Sequence, residues 1–150
     1  MRIVIQRVSN SSVSINNKVH AEIKNGMLIF VGIEHEDTTN DVNWLVNKIL
    51  SLRIFADSKN MMNKSIFDIN GQILVISQFT LHAKTKKGSR PSYIKAAKPK
   101  VAIPLYNNFL DELSKNLEGK VFSGKFGTDM QVRLNNDGPV TILIDSKNRE

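Results

Sequence analysis

The chain is 150 residues long and 41% hydrophobic, with 21 Lys and Arg against 14 Asp and Glu for a formal net charge of +7. That length suits one domain, residues 1–150, able to bury a sizeable core, and the absence of cysteine excludes disulfides, thiolate nucleophiles, Cys-ligated zinc and iron–sulfur clusters. The Lys and Arg residues crowd between Lys84 and Arg133, which fits either a polyanionic partner or a solvated basic surface; charge alone does not choose between them.

In chain order, Arg2 to Ser9 and Ser11 to Ile15 have strand composition, Asn16-Asn17-Lys18 is a turn, and Val19 to Ile23 and Met27 to Ile33 form two more strands around Asn25-Gly26. This first quarter reads as a meander. Its opening residues lack the basic-then-apolar order of a signal peptide, and Met27 to Ile33 is far short of the ~20 apolar residues that cross a bilayer. The expectation is a soluble, cytoplasmic protein without a membrane partner.

Thr38 or Thr39 caps a helix through Leu52, because Val42, Leu45, Val46, Ile49 and Leu52 recur at helical spacing. A short strand at Arg53 to Phe55, a turn-rich stretch from Asp57 to Asn70 and a strong strand from Ile73 to Leu81 follow. Lys84 to Ser92 is a basic loop. A second helix carries Leu105, Tyr106, Phe109, Leu110 and Leu113 on one face, with Pro104 placed in its first turn. Strands at Lys120 to Phe126, Gln131 to Leu134 and Val140 to Ile144 close the chain. Strands outnumber helices and come in runs, so the expected class is α+β, with largely antiparallel sheet curled into a barrel-like core and two main helices.

Three features invite chemistry. In the strand at Ile73 to His82, alternation puts Leu74, Ile76, Gln78, Thr80 and His82 on one face, aliphatic at first and then polar; this describes a strand lining a pocket or one emerging into solvent. Asn135-Asn136-Asp137-Gly138-Pro139 has the composition of a hairpin turn, and its proline permits a fixed presentation of backbone carbonyls. The Glu34-His35-Glu36-Asp37 cluster lacks metal-ligand spacing and sits before a helix, where acidic residues are ordinary. No G-x-S-x-G elbow is present, and Thr80 would need His82 as its base to act as a nucleophile.

Ser77-Gln78-Phe79-Thr80-Leu81 and Asn136-Asp137-Gly138-Pro139-Val140-Thr141 resemble the paired S-Q-x-T-L and N-x-G-P-x-T signatures of the D-aminoacyl-tRNA deacylase (D-tyrosyl-tRNA deacylase) family. Gln6-Arg7-Val8, Gly88-Ser89-Arg90-Pro91-Ser92 and Met130-Gln131-Val132 extend the resemblance over nearly the whole chain. It implies hydrolysis of the ester between D-amino acids, and glycine, and tRNA. It also implies a homodimer in which each site is completed by a cis Gly138-Pro139 pair from the other subunit. On that resemblance Ser77, Gln78, Phe79 and Thr80 surround the terminal adenosine and the ester, Asn136 and Thr141 support the Gly-Pro pair, and no cofactor or metal takes part.

The carbonyls of the Gly-Pro pair would hold the α-amino group and exclude an L side chain. The resemblance also implies that the 2′-hydroxyl of the RNA assists, which lowers the need for Thr80 as a nucleophile. Lys84, Lys86, Lys87 and Arg90 are positioned to contact acceptor-stem phosphates. His82 lies outside the signature, Tyr93 stands where phenylalanine is common, and Pro104 is idiosyncratic. The rival readings are a non-catalytic basic RNA-binding protein, which the scarcity of exposed aromatics disfavours, and a relative that has drifted to another ester or amide.

Overall fold

A computed structural model describes all residues from Met1 to Glu150. Its elements are β1 (Arg2–Ile15), β2 (Lys18–Ile23), β3 (Gly26–Gly32), α1 (Thr39–Ser51), β4 (Phe55–Ala56), β5 (Met62–Lys64), β6 (Gln72–Ser77), a 3₁₀ turn (Phe79–His82), α2 (Pro99–Asn116), β7 (Val121–Ser123) and β8 (Gln131–Asp145). The expected α+β class holds. β1 pairs antiparallel with β2, β3 and β8, while β6 adds parallel pairings to β3 and β7.

The two strands expected at the start are one. β1 runs unbroken because β8 pairs along nearly its whole length, from Arg2 opposite Asp145 to Ser14 opposite Gln131. On its other edge β3 covers Arg2 to Val8 and β2 covers Ser11 to Ile15. The two-residue turn Asn16-Asn17 joins β1 to β2 with both φ angles positive, 50° and 60°, the geometry that matches hairpin twist. Asn25-Gly26 is not a second hairpin, since β2 and β3 lie end to end along the same edge of β1. A Cβ on Gly26 would sit 1.8 Å from the Gln72 carbonyl oxygen, so only glycine lets β3 start against β6.

Apolar side chains fill both faces of the sheet. On one face α1 and α2 pack over Ile3, Ile5, Met27, Ile29, Ile73 and Val75; on the other, Val8, Val13, Ile23, Leu28, Leu74 and Ile76 form a smaller cluster inside the curl. Ile73 to Ile76 are all buried, as expected of a parallel strand covered on both sides. α1 buries Val42, Leu45, Val46 and Ile49 as its spacing requires, and Leu50 in addition. Asp41 closes its capping box, accepting from the Thr38 amide at 2.9 Å.

α2 begins five residues before the expected start. Pro99, not Pro104, takes the first helical position, and Pro104 lies inside the helix. Proline at N1 loses nothing, whereas Pro104 has no proton for the Lys100 carbonyl. Residues before it are held because Ala102 is buried against the core. Neither helix is long and apolar enough to cross a membrane.

Candidate active site

β6 stops at Ser77, four residues earlier than alternation implied. The Gln78 amide still donates to the Val31 carbonyl at 2.7 Å, and the chain then tightens, with Leu81 donating to Gln78 at 3.2 Å and Ala83 to Thr80 at 3.0 Å. The first two amides of the turn, Phe79 and Thr80, stand ahead of this ladder and are not consumed by it. Gln78 and Thr80 fix one another, the Gln78 side-chain amide donating to the Thr80 hydroxyl oxygen at 2.5 Å.

That turn overturns the expectation that Thr80 and His82 share a strand face. His82 is 1% exposed and neither ring nitrogen has a hydrogen-bond partner. It packs inward and is not in place to serve Thr80 as a base.

Ser77, Gln78 and Phe79 line a cavity of about 450 Å³, bounded by Val31 and Ile33 at the end of β3, Ala97 and Ala102 around the start of α2, and the Phe126–Met130 loop. The volume falls in the ordinary range for a small-molecule site. Behind it the Tyr106 hydroxyl donates to the Val75 carbonyl at 3.2 Å, and its ring lies 5.5 Å from that of Phe126. Burial pushes the Tyr106 hydroxyl up to about 12. The Phe126–Asp129 stretch escaped sequence reasoning: Gly127-Thr128-Asp129 signals a turn but not the cavity it faces.

Asn135 to Pro139 do not make a hairpin turn; they lie within β8. Gln6 pairs with Thr141 and Val8 with Asn136, so Asp137, Gly138, Pro139 and Val140 bulge out opposite the single residue Arg7. The Gly138-Pro139 peptide is cis, with Gly138 at φ +130°. Asn136 braces the bulge from within, its side chain donating to Gln6 and to the Thr141 hydroxyl at 3.1 Å and accepting from the Val140 amide at 2.9 Å. Arg7 braces it from β1, donating to the Asp137 carbonyl at 3.0 Å and the Ile54 carbonyl at 2.6 Å. Gly138 and Pro139 remain exposed and contribute nothing to their own chain's cavity.

Lys84, Lys86, Lys87 and Arg90 are all exposed and engage no carboxylate. Their loop is pinned at its base, where Lys84 and Ser92 exchange backbone hydrogen bonds of 2.8 and 3.0 Å. The acidic cluster has a structural duty: Asp37 accepts from the Met1 ammonium at 2.5 Å and the Glu34 amide at 2.7 Å. A larger groove of about 780 Å³ between α1 and the end of β8, where Arg149 lies 4.3 Å over the Trp44 ring, takes only Leu81 from the signature residues.

On fold and site, the chain is an α+β protein whose pocket is walled mostly by apolar side chains, with Ser77, Gln78, Thr128 and Asp129 as its polar lining and no assembled acid–base pair. The sequence model of D-Tyr-tRNA(Tyr) deacylase matches residues 4–145. The chain belongs to this family of hydrolases. It is 60% identical to a D-aminoacyl-tRNA deacylase of Flavobacterium psychrophilum and 59% identical to one of Bacteroides fragilis, in each case over the full length of both chains. The solved structure of a c-Myc DNA unwinding element binding protein is 39% identical with a TM-score of 0.92, covering 97% of this chain and 98% of that one. A probable eukaryotic D-amino acid tRNA deacylase, 20% identical at TM-score 0.82 over 95% and 97% of the two chains, shares the fold.

Proposed function

We propose that this protein removes D-amino acids, and achiral glycine, from the 3′ end of tRNA as a cytoplasmic homodimer without a metal, each site combining one protomer's pocket with the partner's Gly138-Pro139 bulge. The observation that carries this reading is the separation of the two signatures. Ser77, Gln78 and Phe79 face the cavity, while the braced Gly-Pro bulge is exposed and lines no part of its own chain's cavity. A rigid exposed backbone feature of that kind is suited to complete a site on another molecule.

In the reaction, water attacks the ester carbonyl carbon and the oxyanion forms against the Phe79 and Thr80 amides, which are preorganised because the turn leaves them unspent. The carbon–oxygen bond to the ribose then breaks as the neighbouring 2′-hydroxyl passes its proton to the departing 3′-oxygen and takes one from the attacking water, so that the free amino acid and the ribose diol are released. Thr80, held by Gln78, positions substrate or water. The Gly138 and Pro139 carbonyls accept from the α-ammonium group and occupy the space an L side chain would need, so glycine, with no side chain, passes. Lys84, Lys86, Lys87 and Arg90 hold the acceptor stem through its phosphates, which gives affinity without sequence preference.

The test is hydrolysis of D-tyrosyl-, L-tyrosyl- and glycyl-tRNA by the purified protein, followed by subunit mixing. Thr80→Ala and Gly138→Ala variants are each inactive alone; mixed, they form heterodimers in which one intact pocket meets one intact bulge, and activity returns. Cleavage of the L ester at the D rate removes the chiral reading. No recovery on mixing places each bulge with its own chain's site. Binding of tRNA without cleavage of any ester supports the non-catalytic RNA-binding alternative, which the unpaired cationic loop otherwise accommodates.

A further inference from the structure

The pocket wall formed by Phe79 continues outward into a second aromatic surface. Phe79 and Tyr93 meet edge to face, with ring centroids 5.0 Å apart at 74°. Both stay open to solvent, at 57% and 39%, beside Ile94 at 73%. A T-shaped pair covers one ring face and leaves others free. The mounting is firm: the Tyr93 carbonyl accepts from the Ala96 amide at 2.9 Å, and the Ala97 amide donates to the Ile33 carbonyl at 2.9 Å. Ala97 itself lines the pocket, so this surface begins at the pocket's mouth.

The charge around it is one-sided. From Ile69 to Leu110 there is no Asp or Glu, and the seven Lys and Arg residues of that span all fall between Lys84 and Lys100. All seven are exposed, and none joins an ion pair. A rigid aromatic face set in a field of free cations is how proteins take up single-stranded nucleic acid: the cations track the backbone and the ring stacks a base of any identity. A protein partner of acidic character would use the cations but has no need of an open ring beside a nucleoside-sized pocket.

We propose that Tyr93, flanked by Ile94, is the stacking platform for the base next to the terminal adenosine. The site then grips at least two unpaired nucleotides of the 3′ end, and the double-stranded stem begins beyond them. This inference rests on the deacylase reading of the pocket, since it is the terminal adenosine in that pocket that brings the preceding base over Tyr93. Phenylalanine at this position would keep the ring face, so the hydroxyl is dispensable here.

The experiment compares kcat/KM for D-tyrosyl esters of adenosine and of the trinucleotide cytidylyl-cytidylyl-adenosine, with wild type, Tyr93→Phe and Tyr93→Ala. The trinucleotide ester is expected to be the better substrate by at least about fivefold, the lower end of what one base stacked on an aromatic ring contributes. Tyr93→Phe keeps that advantage and Tyr93→Ala loses it while retaining cleavage of the adenosine ester. Equal losses on both esters in Tyr93→Ala would show a packing role for Phe79 and overturn the proposal, as would a wild type that gains nothing from the added nucleotides. If neither ester is cleaved, the deacylase reading fails, and binding of the unacylated trinucleotide decides this point alone: weaker binding by Tyr93→Ala than by Tyr93→Phe upholds the platform, and equal binding removes it.

Discussion

The two signature regions are built on opposite physical plans. Around Ser77 to Phe79 the chain encloses a cavity, with Thr80 beside it rather than in its lining, and the walls come from four separated segments that meet only on folding. Around Asp137 to Val140 the chain encloses nothing; it pushes four residues out of a ladder and locks them with side chains from β1 and from Asn136. A cavity recognises by volume and tolerates small movements of its walls. A braced bulge recognises by the position of its main chain and tolerates almost none. In the proposed reaction the first region should therefore govern turnover and the second should govern which stereoisomer is admitted.

The sharpest way to break that division is Gly138→Ala. Its Cβ would stand 2.8 Å from Arg7 Nη2 and 3.0 Å from a Val140 methyl, at a φ of +130° that L residues rarely adopt. We expect kcat/KM on D-tyrosyl-tRNA to fall more than a hundredfold, because the displaced carbonyls no longer hold the α-ammonium group, and the residual activity to lose its preference for the D over the L ester, with the fold intact by circular dichroism; D-ester activity within threefold of wild type, or an unchanged preference, would mean the bulge is peripheral. Arg7→Ala is gentler, removing one brace and leaving Asn136. About a tenfold loss on the D ester and a measurable gain on the L ester are expected, and equal losses on both would assign Arg7 to turnover instead.

Smaller effects test the surroundings. Lys86→Glu with Lys87→Glu should weaken tRNA binding several-fold at low salt and flatten the salt dependence, because counterion release scales with the phosphates contacted; an unchanged slope would remove the loop from the interface. His82→Ala should leave kcat within about twofold, since the imidazole reaches no polar group, while lowering stability by roughly 2 kcal/mol through the void it leaves. A several-hundredfold loss of kcat would restore His82 to the chemistry.

The acid limit of stability lies apart from both regions. Burial, the largest influence on Asp41, raises its carboxyl, but hydrogen bonds from Ser146, Thr38 and Lys147 outweigh it and hold the group at about 2. A carboxylate depressed from 3.8 stabilises the fold above that pH and loses its contribution as pH falls toward 2. Asp41→Asn should therefore flatten the melting temperature between pH 4 and pH 2 by the equivalent of about 2 kcal/mol, which thermal melts at the two pH values would check.

Much of this was legible in the residues because it is local. Asn16-Asn17 tolerates the positive φ angles of a tight hairpin wherever it occurs. Val42, Leu45, Val46 and Ile49 mark a buried helix face through spacing alone, and the two signatures mark their own residues. The cationic run from Lys84 to Lys100 is likewise a property of composition. Tertiary structure decided what depended on distant partners. The turn-forming residues Asn135 to Pro139 became a bulge because β1 continues past them and pairs with β8 on both sides. β6 ended at Ser77 because Gln78, bonded to Val31, begins a tightened turn, which buried His82 instead of aiming it at Thr80. The far wall of the pocket, Phe126 to Met130, arrived from nearly fifty residues away. Turn and strand preferences act over a few neighbouring residues, whereas register and enclosure are set by whichever strand lies alongside, and no local pattern encodes that.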